Sequence, residues 1–354
     1  MITSLSFATE QGLLVPILLF AAGLVLLIKG GDWFVDGATS LAYRFKIPEI
    51  IIGATVVSIG TTLPEVMVSV TGALNGQGSM AYGNAIGSII CNTSLIAALT
   101  IAIRPGPVDT SSMKKPVLFF FASAIIYMVV AYLLGFFYWW VGAILLAIFV
   151  VYMFLTIKQG LKKPAVQGLD YVEEQELAST PEEAEKIKKS PLWKEILLLV
   201  IGAALIAVGA DLLVDNGTII AQQLGVPETV IALTFVALGT SLPELVTAIT
   251  SLVKGHGSLS LGNVIGANIF NLVLVSGASI ILAPFEVPVG NTIEVPVGNT
   301  IADINSSLIL DLPLMLTVMA ILTIPTLFTK KLHRAQGIVL LAIYAAFCTL
   351  QFVL

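Results

Sequence analysis

Charge is scarce in this sequence. Only 11% of its 354 residues are Asp, Glu, Lys or Arg, against about 25% in an ordinary soluble domain. That shortage excludes a chain folded wholly in water, and the net charge of -5 gives no reason to expect nucleic acid as a partner. Cysteine is confined to Cys91 and Cys348. Both fall in apolar stretches, which excludes a disulfide framework and a cysteine-based metal site. The two histidines, His256 and His333, lie in polar connections and read as surface residues. No Ser/His pair, zinc motif or aspartate dyad is in evidence, so the chain is not expected to be an enzyme. What remains is apolar: 57% of residues are hydrophobic and the mean hydropathy is +0.99, the composition of an integral membrane protein.

With about 20 apolar residues needed per crossing, ten spans are expected: 12–32, 48–74, 79–103, 116–134, 138–157, 195–214, 228–253, 258–283, 308–328 and 336–353. The first has no basic segment before it and a poor cleavage context at Lys29-Gly30-Gly31-Asp32, so it reads as a span rather than a signal peptide. One hydrophilic stretch, 158–194, separates five spans (1–157) from five (195–354) and reads as a solvated loop. If the N-terminus is outside, Arg44, Lys46, Arg104, Lys114, Lys115, the loop lysines, Lys254, Lys330, Lys331 and Arg334 all fall on the cytoplasmic side, and the opposite loops carry no Lys or Arg. By the positive-inside rule the expected arrangement is a multi-pass protein of the plasma membrane with both termini outside and the 158–194 loop in the cytoplasm.

Shifted by 179 positions, residues 30–92 align without a gap on 209–271, about four in ten being identical, which marks an internal duplication. An odd number of spans per copy turns the second over. The fold expected is therefore all-α, ten transmembrane helices in two inverted five-helix repeats, an arrangement common in secondary transporters. A smaller tandem repeat, 286–293 followed by 294–301, is rich in Pro and Gly and reads as a turn-rich outer loop.

Each large repeat carries one polar motif inside an apolar span: Gly60-Thr61-Thr62-Leu63-Pro64-Glu65 and Gly239-Thr240-Ser241-Leu242-Pro243-Glu244. An ionisable group at membrane depth is expensive and signals an ion or proton path. Inversion brings Glu65 and Glu244 together near the midplane. A proline within a helix frees the carbonyl four residues earlier, here those of Gly60 and Gly239, and broken helices at that depth survive only where they are buried or line a cavity. Thr61 and Thr240, four residues before the glutamates, share their helical face. In the next span of each half, Asn84, Ser88 and Asn92 recur at four-residue steps, matched by Asn263, Ala267 and Asn271. Asn92 and Asn271 are assigned to the site, while for Asn84 and Asn263 helix packing and site membership both stand. Carboxylate, hydroxyl, amide and carbonyl oxygens without His or Cys suit hard cations. Calcium accepts about 6 to 8 such oxygens, whereas magnesium prefers to keep its waters. Sodium, close to calcium in size, could occupy the same oxygens in turn.

The paired Gly-Thr-(Thr/Ser)-Leu-Pro-Glu motifs, each followed by Gly-Asn-x-Ile-Gly-(Ser/Ala)-x-Ile-x-Asn, resemble the alpha-repeats of the calcium/cation antiporter superfamily, and prokaryotic sodium/calcium exchangers most of all. The resemblance extends over all ten spans. It implies exchange of Na+ for Ca2+ by alternating access, with spans one and six sliding past a fixed core, the transported ions and the bilayer being the partners and no cofactor being needed. Residue by residue, it implies that Glu65 and Glu244 serve both ions and that Thr61 and Thr240 add oxygens to calcium, with Thr62 and Ser241 beside them. Ser58 and Ala237 would offer backbone carbonyls to sodium, Ser88 would complete an inner sodium site, and Asn92 would sit in the central one. Two positions depart from the pattern: Ala267 stands where a serine would complete an outer sodium site, and Asn271 where potassium-dependent members carry aspartate. The rival reading is a proton-coupled calcium antiporter; an intramembrane hydrolase or a passive channel fits less well. Asp32, Asp36, Asp211 and Asp215 read as solvated residues at the ends of spans one and six.

Overall fold

A computed structural model describes residues 13–162, 191–224, 239–288, 292–297, 300–305 and 307–353. Among these residues the chain forms ten helices: α1 (Leu14–Phe45), α2 (Glu49–Leu74), α3 (Gly78–Ile103), α4 (Thr110–Leu134), α5 (Trp139–Lys162), α6 (Leu192–Gln223), α7 (Leu242–Val253), α8 (Gly257–Leu282), α9 (Ser307–Thr329) and α10 (Arg334–Val353). Eight are long and apolar enough to cross a membrane, and α7 and α10 are shorter apolar helices. The architecture is that of an all-helical membrane protein, as the composition predicts.

Two short strand pairs fix which connections share an end of the bundle. β1 (Gly106–Pro107), after α3, pairs antiparallel with β6 (Lys331–Leu332), before α10. β2 (Phe136–Phe137), after α4, pairs with β3 (Phe285–Glu286), after α8. Paired connections lie on one side of the membrane, so the number of crossings between them must be even. From β1 to β6 the chain passes five long apolar helices and α7; from β2 to β3 it passes three and α7. Both counts become even only if α7 belongs to a crossing. Counted in helices, the connections joined by β1 and β6, α3–α4 and α9–α10, stand five places from those joined by β3 and β2, α8–α9 and α4–α5, so the two pairs exchange under a shift of five.

Helices α1 and α6 pack together as an antiparallel pair. Their approach is set by glycines at seven-residue steps. A Cβ on Gly23 would stand 2.9 Å from the Gly209 carbonyl, one on Gly30 2.9 Å from that of Gly202, and one on Gly37 2.8 Å from that of Glu195. Without those side chains the two backbones touch. At one end Arg44 clasps Glu195 with both carboxylate oxygens engaged, at 2.6 and 2.8 Å.

Several expectations need correction. Spans one and six do not end at 32 and 214: α1 and α6 run on to Phe45 and Gln223. At 32 residues each, they are about 48 Å long, well beyond a hydrocarbon core of about 30 Å, and so tilt or project from it. Asp32, Asp36, Asp211 and Asp215 consequently lie inside helices rather than at their ends. Lys254 explains how α1 tolerates its pair, reaching Asp36 Oδ1 at 2.7 Å and the Asp32 carbonyl at 3.0 Å. His256 is not a surface residue: its ring is 13% exposed and its Nδ1 lies 2.7 Å from Oε1 of buried Glu49. The tandem repeat is not only turn, since β4 (Thr292–Val297) pairs with β5 (Thr300–Asn305), Thr292 standing opposite Asn305. The alternation of Ile293, Val295 and Val297 with Thr292, Glu294 and Pro296 is a strand period that the Pro/Gly content masks. Span seven from 228 to 238 lies outside the described residues.

Candidate functional site

Three long helices change their winding where the sequence motifs lie. A π-helical turn occupies Gly53–Val57 before the first motif, and others begin at Asn92 and at Asn271. A π-turn shifts the hydrogen-bond ladder and leaves a carbonyl without its usual partner. Inside a membrane that carbonyl needs a donor. The Ala54 carbonyl takes the Tyr152 hydroxyl at 2.9 Å, and a serine five residues on closes two others: Ser58 onto Gly53 at 2.8 Å and Ser276 onto Asn271 at 3.1 Å.

The first motif sits in the unbroken run of α2 with Pro64 inside the helix. The second differs. Pro243 occupies the first turn of α7, where no backbone donor is required, and Ser241 is the residue before the helix. The freed-carbonyl argument therefore applies to Gly60 within α2 and does not carry over to Gly239, which precedes the described α7 helix. Both glycines are half-buried and face the α1–α6 pair: a Cβ on Gly60 would stand 3.0 Å from the Phe34 ring, and one on Gly239 2.8 Å from Val214.

Around these turns the two halves interlock. Thr61 Oγ1 donates to Asn263 Oδ1 at 3.3 Å, and Thr240 Oγ1 donates to Asn84 Oδ1 at 3.2 Å. These are the same bond made twice, with the halves exchanged. Asn84 Nδ2 in turn donates to the Glu65 carbonyl at 3.2 Å and to Ser69 Oγ at 2.8 Å, while Ser58 Oγ reaches the Asn263 carbonyl at 3.0 Å. For Asn84 and Asn263, where packing and site membership both stood, the structure adds one contact each: the asparagine accepts from the motif threonine of the opposite half. Their correspondence in the repeat was the signal.

Glu65 and Glu244 are both fully buried, on helices α2 and α7, which pack against each other. Thr62 Oγ1 donates to Glu244 Oε1 at 3.4 Å. Beyond that bond the oxygens are unpaired with protein donors: both of Glu65, Oε2 of Glu244, the amide groups of Asn92 and Asn271, and the Ser241 hydroxyl are buried without a hydrogen-bond partner. The turn starting at Asn92 packs on α7, which carries Glu244, and the turn starting at Asn271 packs on α2, which carries Glu65. Ser88 is buried one turn before Asn92 on the same face. Ala267, the repeat partner of Ser88, is fully buried and brings no oxygen. Ala237 lies outside the described residues.

Burying one ionised carboxylate without a partner costs several kcal/mol or more, and two near each other cost more again. Positive charge among them removes that cost. The donor set is oxygen throughout, and among the described residues no group of three His, Cys, Asp or Glu side chains forms a transition-metal centre. What the arrangement can hold is a hard cation.

Known proteins resemble the chain over most of its length. The family model described as sodium/calcium exchanger protein matches residues 15–158 and 194–353. The chain is 32% identical over 362 residues to the sodium/calcium exchanger MaX1 of Methanosarcina acetivorans, covering 96% of this chain and 99% of that protein. It is 35% identical over 269 residues to the inner membrane protein YrbG of Escherichia coli, covering 76% and 80%. Among solved structures it resembles the sodium-calcium exchanger NCX_Mj soaked with Na+ and Sr2+, at a TM-score of 0.74 and 30% identity over 94% of this chain and 98% of that one.

Proposed function

The chain belongs to the sodium/calcium exchanger protein family, a multi-pass membrane transporter and not an enzyme, and from that premise we propose that it moves Ca2+ against Na+ by alternating access. The observation that carries the proposal is the pair of buried carboxylates, Glu65 and Glu244, with oxygens that no protein donor satisfies. Calcium bound between them would meet two formal negative charges and reach an oxygen count of about 6 to 8 with the Thr61 and Thr240 oxygens. Thr62 and Ser241 flank it. Sodium would use the same glutamates together with Ser88, Asn92, Asn271 and the backbone around Gly60, Ser58, Ala237 and Gly239. Because the carboxylates are shared, one ion must leave before the other is fully held, which is what couples the fluxes.

In this reading the repeats are 1–157 and 195–354, inverted about the site, with 158–194 a cytoplasmic loop. The exchange symmetry of the two strand pairs and the reciprocal threonine-to-asparagine bonds support it. The glycine-lined α1–α6 pair, lying over Gly60 and Gly239, is the element we assign to sliding. Lys254, Arg104, Lys331 and Arg334 then face the cytoplasm of a cell whose plasma membrane holds the protein with both termini outside.

The coupling ion is tested in proteoliposomes holding the purified protein, with Na+, K+ and H+ gradients imposed one at a time. Calcium uptake driven by sodium alone is the expected result. Uptake driven by a pH gradient and indifferent to sodium would replace this reading with proton coupling.

A further inference from the structure

Away from the paired glutamates, at the end of the bundle where β1 meets β6, a cavity of about 200 Å³ opens between the end of α3, the α7–α8 turn and β6. That volume is several times the roughly 30 Å³ share of one water. Its polar side chains are those of Arg104, Ser258, Ser260 and Thr100, the last with its hydroxyl already donated to the Ala97 carbonyl at 2.8 Å. Arg104 brings a guanidinium, fixed over the turn by a bond from Nη1 to the Leu252 carbonyl at 3.3 Å, which uses one of five donors. Gly257 and Ser258 open α8, a long helix whose leading N–H groups have no acceptor within it and whose dipole favours negative charge. Ser260 is 2% exposed, lines the cavity, and its hydroxyl has no hydrogen-bond partner.

More positive charge borders the opening. Lys331 stands opposite Pro107 in the β1–β6 pair, and Arg334 reaches the Ile103 carbonyl, next to Arg104, at 3.4 Å. Two carboxylates lie near and both are engaged: Asp109 caps α4, accepting from the Ser111 N–H at 2.9 Å and the Ser111 hydroxyl at 2.6 Å, and Glu49 is paired with His256 at 2.7 Å. Leu252 and Leu332 supply apolar wall. A guanidinium and a helix N-terminus on one cavity, with the unpartnered hydroxyl of Ser260 buried in its wall, make the chemistry of an oxyanion site, which suits a phosphate group.

We propose that this cavity binds a phosphate group, carried by an anionic lipid of the adjoining leaflet or free in solution. It is independent of the transport site and of which ion drives exchange.

The test uses the full-length protein in detergent, titrated with phosphatidic acid and followed by native mass spectrometry, and in a second arm with inorganic phosphate followed by calorimetry. Arg104→Gln should weaken binding by about tenfold or more, Ser260→Ala should weaken it by a smaller factor, and Arg104→Lys should retain part of it. Binding of the lipid alone identifies a headgroup site, and binding of both shows that phosphate suffices; either outcome supports the proposal if Arg104→Gln removes it. If Arg104→Gln does not fold, Ser260→Ala decides. No binding in either arm, or affinities unmoved by these substitutions, overturns it.

Discussion

Thr61 on α2 donates to Asn263 on α8 at 3.3 Å, and through the repeat the same bond recurs from Thr240 to Asn84 at 3.2 Å. Each half therefore holds the other half's motif in place. Thr61→Val and Thr240→Val keep the shape and delete the donor. Each should raise the calcium concentration for half-maximal uptake by about tenfold, the equivalent of about 1.4 kcal/mol. The pair should act as a unit, with the double variant losing less than the sum of the singles. Concentration-dependent uptake in proteoliposomes measures both effects.

Two glycines equivalent in sequence differ in space. A Cβ on Gly266 would overlap the Ser58 hydroxyl and come within 2.6 Å of Ala54 Cα, whereas one on its repeat partner Gly87 would meet nothing within 4 Å. Gly266→Ala should cost about 1–3 kcal/mol of stability through overpacking, and Gly87→Ala should be tolerated. Thermal unfolding of the two variants in detergent checks this, and equal losses would contradict it.

The ion pair of His256 with Glu49 gives stability a pH dependence. Burial lowers the affinity of the ring for a proton, but the hydrogen bond and charge of Glu49, helped by Asp36 and opposed by Lys254, leave the His256 pKa raised above its ordinary value of 6.5. A raised folded-state pKa stabilises fully below the unfolded value and ceases to do so as the pH climbs through the folded value. His256→Gln should therefore lower the melting temperature at about pH 6, by about 2–4 °C, and much less at about pH 9. A loss independent of pH would mean that packing alone explains the residue.

Much of this was legible in the sequence because duplication writes a site twice. Glu65 matches Glu244, Asn92 matches Asn271, and apolar runs of bilayer length recur, so the membrane class and the all-helical architecture could both be read. What escaped has physical reasons. Asp32 and Asp36 resemble helix ends, yet α1 continues past them, with their carboxylates partly exposed and paired to Lys254, distant in sequence. His256 resembles a loop residue until Glu49 is folded against it. The π-turns at Gly53, Asn92 and Asn271 leave no periodic trace, since one extra residue per turn disappears within an apolar run. The asymmetry of Gly87 and Gly266 arises from packing partners that the repeat does not share.

Calcium should stabilise the fold in proportion to how tightly it binds. At a calcium concentration of about one hundred times the dissociation constant the gain is about 2.7 kcal/mol, seen as a higher melting temperature. Glu65→Gln and Glu244→Gln should each lose that gain while folding normally without calcium, since replacing a buried carboxylate that has no cationic partner with a neutral amide removes a cost. A calcium-dependent shift kept by either variant would place the ion elsewhere.

Sodium-gradient-driven calcium uptake by these same two variants, reconstituted beside the wild-type chain and normalised to inserted protein, tests the central claim most directly. Abolished uptake in both, with wild-type transport intact, is the expected result. Near-wild-type uptake by either one would contradict the assignment of Glu65 and Glu244 as the shared seat of the transported ions.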